Sequence, residues 1–310
     1  MKVAFLFAGQ LRDVNHDLFR KSLSILTKDL DYSIFSFCWE EAGKSLNHQK
    51  NISKLKTNIN IEESLKLIFG DFNLLNYGYE SFNDFKNNLS HKYKLILDSE
   101  EFHYGTINSL PQIYTLFKSF QLMEKINYDF DLVFRCRFDS IFMHQMNLFP
   151  LEEIYLSNYL YHLNFGRSYY PNRIYDIFFG GSRKSMNFIR SIWNDIPMLI
   201  ENKFNNGLDK RDCCRLLSVS AKLKKIKIKS LDSRICDVYR NDNSLYVEYL
   251  IKSHIFKLQI RKNYLIKFYF FLRCFKLMKI SNKKVIFYFL ITFLYLPFTY
   301  LKRLRYLKVL

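Results

Sequence analysis

Glycine and proline are scarce in this chain, nine and five among 310 residues, too few for collagen-like or proline-rich architectures. Cysteine is sparse as well. Cys38, Cys136, Cys213, Cys214, Cys236 and Cys274 form no C-x-x-C pair, and none stands at zinc-ligand spacing from a histidine, so they read as reduced thiols of a cytosolic protein. No P-loop G-x-x-x-x-G-K-[ST], G-x-S-x-G elbow, H-E-x-x-H pair or G-x-G-x-x-G fingerprint occurs, which leaves P-loop, serine-hydrolase, zincin and dinucleotide chemistries without their usual carriers. The apolar run after Met1-Lys2 stops at Ala8 with no small-residue cleavage pattern behind it, so no secretory leader is expected.

What is present is apolar, aromatic and basic. Hydrophobic residues make up 49% of the chain and aromatic residues 18%, enough to bury a sizeable core and far from the composition of disorder. The 47 Lys and Arg outnumber the 29 Asp and Glu and leave a formal net charge of +18. Much of that excess is late: Lys222, Lys224, Lys225, Lys227 and Lys229 cluster, and beyond Tyr264 no acidic residue occurs at all. We therefore divide the chain into a main domain, 1–245, and a basic, aromatic-rich helical tail, 246–310. Nucleic acid would account for the cations but not for the grease between them. A bilayer with anionic headgroups accounts for both, at about 1 kcal/mol per basic residue near the surface. The uncharged run Val285 to Leu301 is at the short end of the roughly 17–25 residues that span a membrane and contains Pro297, so surface association is preferred to spanning. The other reading of the tail is a helical hairpin packed on the body with its lysines in water. The positive-inside tendency puts the basic tail, and the body with it, at the cytoplasmic face of the plasma membrane as a peripheral protein; no nucleic-acid partner is expected.

The opening VAFLFA, closed by Gly9-Gln10, reads as a buried strand entering a loop. Leu18, Leu23, Ile25 and Leu26 have helical spacing, and Tyr32 to Phe37 reads as a second strand, so an α/β sheet begins here. Residues 43–60 are a polar connection; 61–69 and 79–89 have the pattern of short amphipathic helices, and Pro111 opens another through Ile113, Leu116, Phe117, Phe120 and Met123. Leu132 to Phe134 is a strand running into Arg135-Cys136-Arg137-Phe138-Asp139. A later strand over 175–182 ends at Gly180-Gly181, a helix follows through Met186, Ile189, Ile192 and Trp193, and another runs about 210–222; Ile226 to Ile228 and Val238-Tyr239 read as strands.

The chemistry concentrates at Arg135-x-Arg137-x-Asp139, where a strand meets the loop at its carboxyl end, the edge at which open α/β sheets bind ligands. Two guanidiniums suit diphosphate oxygens, and a carboxylate on the same turn suits a divalent cation bridging them. An ion-pair cluster covering a sheet edge uses the same residues equally well. The seven histidines are scattered, and the vicinal Cys213-Cys214 lies within a helical pattern where adjacent side chains diverge, so both read as packing.

Several stretches in order, FLFAGQLR, SIFSFCWE, PQIYTLFKSFQLMEK, DLVFRCRFDSIF and DIFFGGSRKSMNFI, together resemble bacterial surface-polysaccharide (lipooligosaccharide and capsule) glycosyltransferases of the GT-A type. The resemblance covers roughly the first 240 residues. It implies a GT-A-like, Rossmann-related, mixed but mostly parallel sheet flanked by helices, and a nucleotide-sugar donor whose sugar passes to a lipid-linked or oligosaccharide acceptor. Arg137-Phe138-Asp139 stands where the family has D-x-D, so Asp139 is the expected metal ligand for Mn²⁺ or Mg²⁺, with the dependence weakened by the arginine. Gly9, Gln10 and Arg12 fall where the family's first loop meets the nucleotide, with Gln112 and Tyr114 beside them and Arg135, Arg137 and Asp139 on the diphosphate. Asp176 and then Asp212 are the candidate general bases. Trp39 and Tyr114 are candidates to stack on a base or sugar. Two other readings stay open: transfer of a phosphate-containing substituent onto a capsule sugar, and a non-catalytic basic adaptor for membrane or nucleic acid.

Overall fold

The computed structural model describes residues 1–11, 16–40, 60–98, 106–142, 145–146, 151–163, 174–201, 213–231 and 236–238. The tail 246–310, together with Arg12 and Asp212, lies outside the described residues. The first half of the chain supplies β1 (Lys2–Gln10), α1 (His16–Leu26), β2 (Asp31–Trp39), α2 (Ile61–Phe69), β3 (Leu74–Glu80), α3 (Phe82–Asn88), α4 (His91–Asp98), α5 (Thr106–Glu124) and β4 (Leu132–Cys136). After it come β5 (Ser140–Phe142), α6 (Leu151–Leu156), β6 (Tyr159–Leu163), β7 (Phe178–Ser182), α7 (Arg183–Met186), α8 (Ile189–Glu201), α9 (Cys213–Leu223), β8 (Lys227–Leu231) and β9 (Cys236–Val238).

Seven strands form one sheet in the order β3-β2-β1-β4-β7-β6-β8, and β5 pairs with β9 in a small ribbon. All neighbours in the large sheet are parallel except at β7, which runs against both β4 and β6. The fold is thus α/β, with a mixed, mostly parallel sheet flanked by helices. β1 is apolar without alternation because both of its faces are covered. Ala4, Leu6 and Ala8 enter the core beneath α5, with Leu110, Ile113, Leu116, Phe120 and Met123. Val3, Phe5 and Phe7 enter the opposite core, with Leu23 of α1 and Leu65 of α2. Each of these buried side chains other than the alanines contributes about 1.5–3 kcal/mol.

Three local differences from the sequence reading have physical causes. Residues 79–89 are not one helix: Tyr79 and Glu80 finish β3, and α3 starts after Ser81, whose Oγ accepts from the Asp84 amide at 3.0 Å. Pro111 does not open α5 but falls inside it, five residues after Thr106, where it forfeits only the amide that would have bonded the Ile107 carbonyl. β7 begins at Phe178 rather than 175, because Asp176 and Ile177 are drawn into contacts at the strand's entrance. Among the described residues no helix is long and apolar enough to cross a membrane.

Candidate functional site

Because β1, β2, β3 and β4 are parallel, Gln10, Trp39, Glu80 and Cys136 all end on one edge of the sheet. From β1 the chain moves to β2 on one side, while β4 lies on the other. That reversal opens a crevice outside the strand ends, the position at which sheets of this kind take ligands. β7 runs the opposite way, so the residues that precede it arrive at the same edge. The topology thereby brings Gly9 and Gln10, the Arg135–Asp139 turn and Asp176 together.

Gly9 has φ +127°, a conformation closed to side-chain-bearing residues, and a Cβ placed on it would meet nothing within 4 Å. Its backbone is therefore fixed by torsion while the space beside it stays open. Gln10 is half-buried in the last register position of β1, across from Trp39.

Arg135 is only 2% exposed. Its Nη2 donates to the Ala8 carbonyl and its Nη1 to the Ile177 carbonyl, each at 3.5 Å, so the guanidinium ties the end of β1 to the entrance of β7. Among the described residues it makes no ion pair. Burial lowers its pKa, opposed by the field of Asp176. Two long bonds to neutral carbonyls are weak compensation for a buried cation.

Arg137 is satisfied far better. Nε and Nη2 donate to Asp139 Oδ1 and Oδ2 at 2.8 and 2.7 Å, a bidentate fork, and Nη1 reaches Asp176 Oδ2 at 3.3 Å. Burial pulls the Arg137 pKa down, but Asp139 and Asp176 outweigh it and the net shift is upward. Asp139 is 1% exposed, so this pair is fixed in geometry and little screened. Asp176 has a second donor in the Cys214 thiol, 3.6 Å from Oδ1. Sequence reading put Cys213 and Cys214 in packing, and both are buried at the start of α9. It did not foresee that Cys214 would hold Asp176, since a pairing across 38 residues leaves no local signal.

Asp139, the expected cation ligand, has both carboxylate oxygens occupied by Arg137. Among the described residues no group of three His, Cys, Asp or Glu is arranged to hold a metal. This donor set does not suit a divalent cation, because a metal would have to displace a guanidinium that is already forked onto the carboxylate.

Gln112 lies in α5, whose first turns start at the same sheet edge, as the run from its C-terminus into β4 requires. Its Oε1 is buried and has no hydrogen-bond partner among the described residues, an unsatisfied acceptor. Trp39 and Tyr114 are otherwise engaged. Their rings stack on each other at 5.9 Å and 14°, and Trp39 packs against Phe82 and Phe85. The Tyr114 hydroxyl donates to Glu80 Oε2 at 2.7 Å. These rings belong to the core beneath α5 rather than to a stacking platform.

No family model matches the sequence, and no curated protein does.

Proposed function

We propose that this chain is a nucleotide-sugar-dependent glycosyltransferase of GT-A-like architecture that works without a bound divalent cation. The observation that carries the reading is Arg135: a buried guanidinium with no carboxylate partner among the described residues, at the β1/β4 crevice and beside the open space at Gly9. A diphosphate is the ligand that such a cation lacks. The orphan Oε1 of Gln112 suits the N–H of a nucleobase or a ribose hydroxyl.

In the reaction the acceptor hydroxyl oxygen forms a bond to the anomeric carbon, and the bond from that carbon to the phosphate oxygen breaks. The electron pair leaves with the nucleoside diphosphate, whose charge Arg135 and the Nη1 side of Arg137 neutralise. The hydroxyl proton goes to the carboxylate of Asp176, aimed by Arg137 and Cys214. The basic, apolar tail, which has no Asp or Glu after Glu248, supports a lipid-linked or lipooligosaccharide acceptor at the cytoplasmic face of the membrane, where docking concentrates enzyme beside substrate.

A thermal-shift panel of UDP, GDP, CDP, CMP and their sugar conjugates, with and without Mn²⁺ or Mg²⁺, tests this. One nucleotide is expected to stabilise the protein in the absence of metal, by about 2.7 kcal/mol at a hundred times its Kd. Gln112→Leu should melt higher than wild type, because it removes a buried unsatisfied oxygen, yet shift less with that nucleotide. If no nucleotide shifts the wild type under any condition, Arg135, Arg137, Asp139 and Asp176 are an ion cluster that closes a sheet edge, and the reading falls.

A further inference from the structure

At the far side of the sheet, β8 carries a corner whose charge is not compensated. Lys222, Lys224, Lys225, Lys227 and Lys229 are all exposed. Glu153 pairs with Lys229 at 2.7 Å and Asp195 with Lys224 at 3.7 Å. Lys222, Lys225 and Lys227 have no ion-pair partner among the described residues.

Apolar side chains stand exposed among them. Leu223, 49% exposed, ends α9 between two of the lysines, and Leu156, 81% exposed, ends α6. The two helices end beside the same end of the sheet, α6 on the face that carries Tyr161 and α9 on the opposite face, and the Lys227 amide, the first of β8, donates to the carbonyl of Asn158, two residues beyond Leu156. Lys227 and Lys229 also reach over Tyr159, each with Nζ 5.8 Å from the ring centre.

Lys225 adds a further observation. α9 ends in a Schellman motif, with the Lys225 amide on the Lys222 carbonyl at 2.8 Å and the Ile226 amide on the Ala221 carbonyl at 2.9 Å. The residue that takes the left-handed conformation in this motif is usually glycine, but here it is Lys225, at φ 57°. A cation occupies a position at which its backbone is disfavoured.

We infer that this corner of the folded domain is a docking surface for an anionic lipid bilayer, distinct from the basic tail. The lysines meet headgroup phosphates while Leu156 and Leu223 enter the boundary between headgroups and acyl chains. A soluble polyanion would use the cations and leave both leucines in water. The sequence that follows has the same chemistry, with no Asp or Glu from Tyr249 to Leu310. This inference stands apart from the catalytic reading and survives its failure.

The test is co-sedimentation of the full-length chain with vesicles of phosphatidylcholine mixed with phosphatidylglycerol, against phosphatidylcholine alone. Each neutralised lysine should lower partition about fivefold, so Lys222→Gln, Lys225→Gly and Lys227→Gln together should lower it on the order of a hundredfold. Lys225→Gly alone should bind about fivefold less while melting higher than wild type, which separates docking from misfolding. Leu156→Ser with Leu223→Ser should lower vesicle binding by about tenfold and leave heparin binding unchanged. Wild-type sedimentation of the triple lysine variant overturns the proposal. So does a pair of leucine changes without effect on vesicles when the lysine changes weaken heparin and vesicles alike, because the corner is then a site for soluble polyanions.

Discussion

Charge is handled in opposite ways at two places in the molecule. At the crevice, Arg135, Arg137, Asp139 and Asp176 are two cations and two anions, and Asp139 has 1% of its side chain in water. At the β8 corner, five lysines stand in solvent with two carboxylates bonded among them. Burial makes an uncompensated charge very costly, so the crevice must balance. Water removes that demand, and the corner is free to keep an excess that only a partner would neutralise. Arg135 is the exception that joins the two: it is buried like the first group and, among the described residues, lacks an ion-pair partner like the second, which is why we propose a ligand for it.

The largest effect should come from breaking the buried balance. Asp139→Ala leaves Arg137 with one carboxylate, Asp176 at 3.3 Å, in place of the bidentate fork and is expected to cost about 3–5 kcal/mol in urea unfolding. Adding Arg137→Met should restore much of that loss, since removing both partners of a buried pair is far milder than removing one. Next is Gly180→Ala, whose new Cβ would overlap the Phe134 ring and the Val133 carbonyl; about 1–3 kcal/mol is expected from the same measurement. At the exposed corner the sign reverses: Lys225→Gly relieves a left-handed lysine and should raise stability by about 1 kcal/mol. The smallest effect belongs to half-buried phenols. Burial, then the carboxylate of Asp195, raises Tyr93 to about 12, and burial with the Glu80 hydrogen bond raises Tyr114. A raised folded-state pKa contributes stability that is complete below the unfolded value near 10 and is lost as pH rises through the folded one. Stability should therefore hold to about pH 10 and decline towards pH 12, less steeply in Tyr93→Phe, as followed by circular dichroism.

How much of this the sequence discloses depends on how local the cause is. β1, β2 and β4 are legible because doubly covered strands are rich in apolar residues on both faces, broken here only by small serines in β2 and by Arg135 in β4. α2 is legible from its bounds inward, with Asn60 accepting from the Glu63 amide at its start. β3 and β6 pass unnoticed: LLNYGYE exposes every second residue and carries a glycine and an asparagine, and YLYHL is only five residues. The Arg135-x-Arg137-x-Asp139 turn is visible as a charged strand end, and the fork between Arg137 and Asp139 is consistent with two-residue spacing. Its completion by Asp176 is not visible, because it depends on β7 running antiparallel beside β4, a pairing decided by the whole sheet.

That reversed strand has a consequence for assembly. A strand inserted between two others can slip by two residues without turning its faces over. Here Phe134 lies opposite Gly180 and Val133 opposite Gly181, so a slip would press Phe178 or Ser182 into a gap that rejects any Cβ. The same slip would carry Asp176 about 7 Å from Arg137. Steric exclusion inside the sheet and a lost ion pair at its edge penalise the same mistake from two sides. The glycine pair and the charge cluster therefore act together as proofreading for the fold, and a chain that has closed its crevice has also verified its strand alignment.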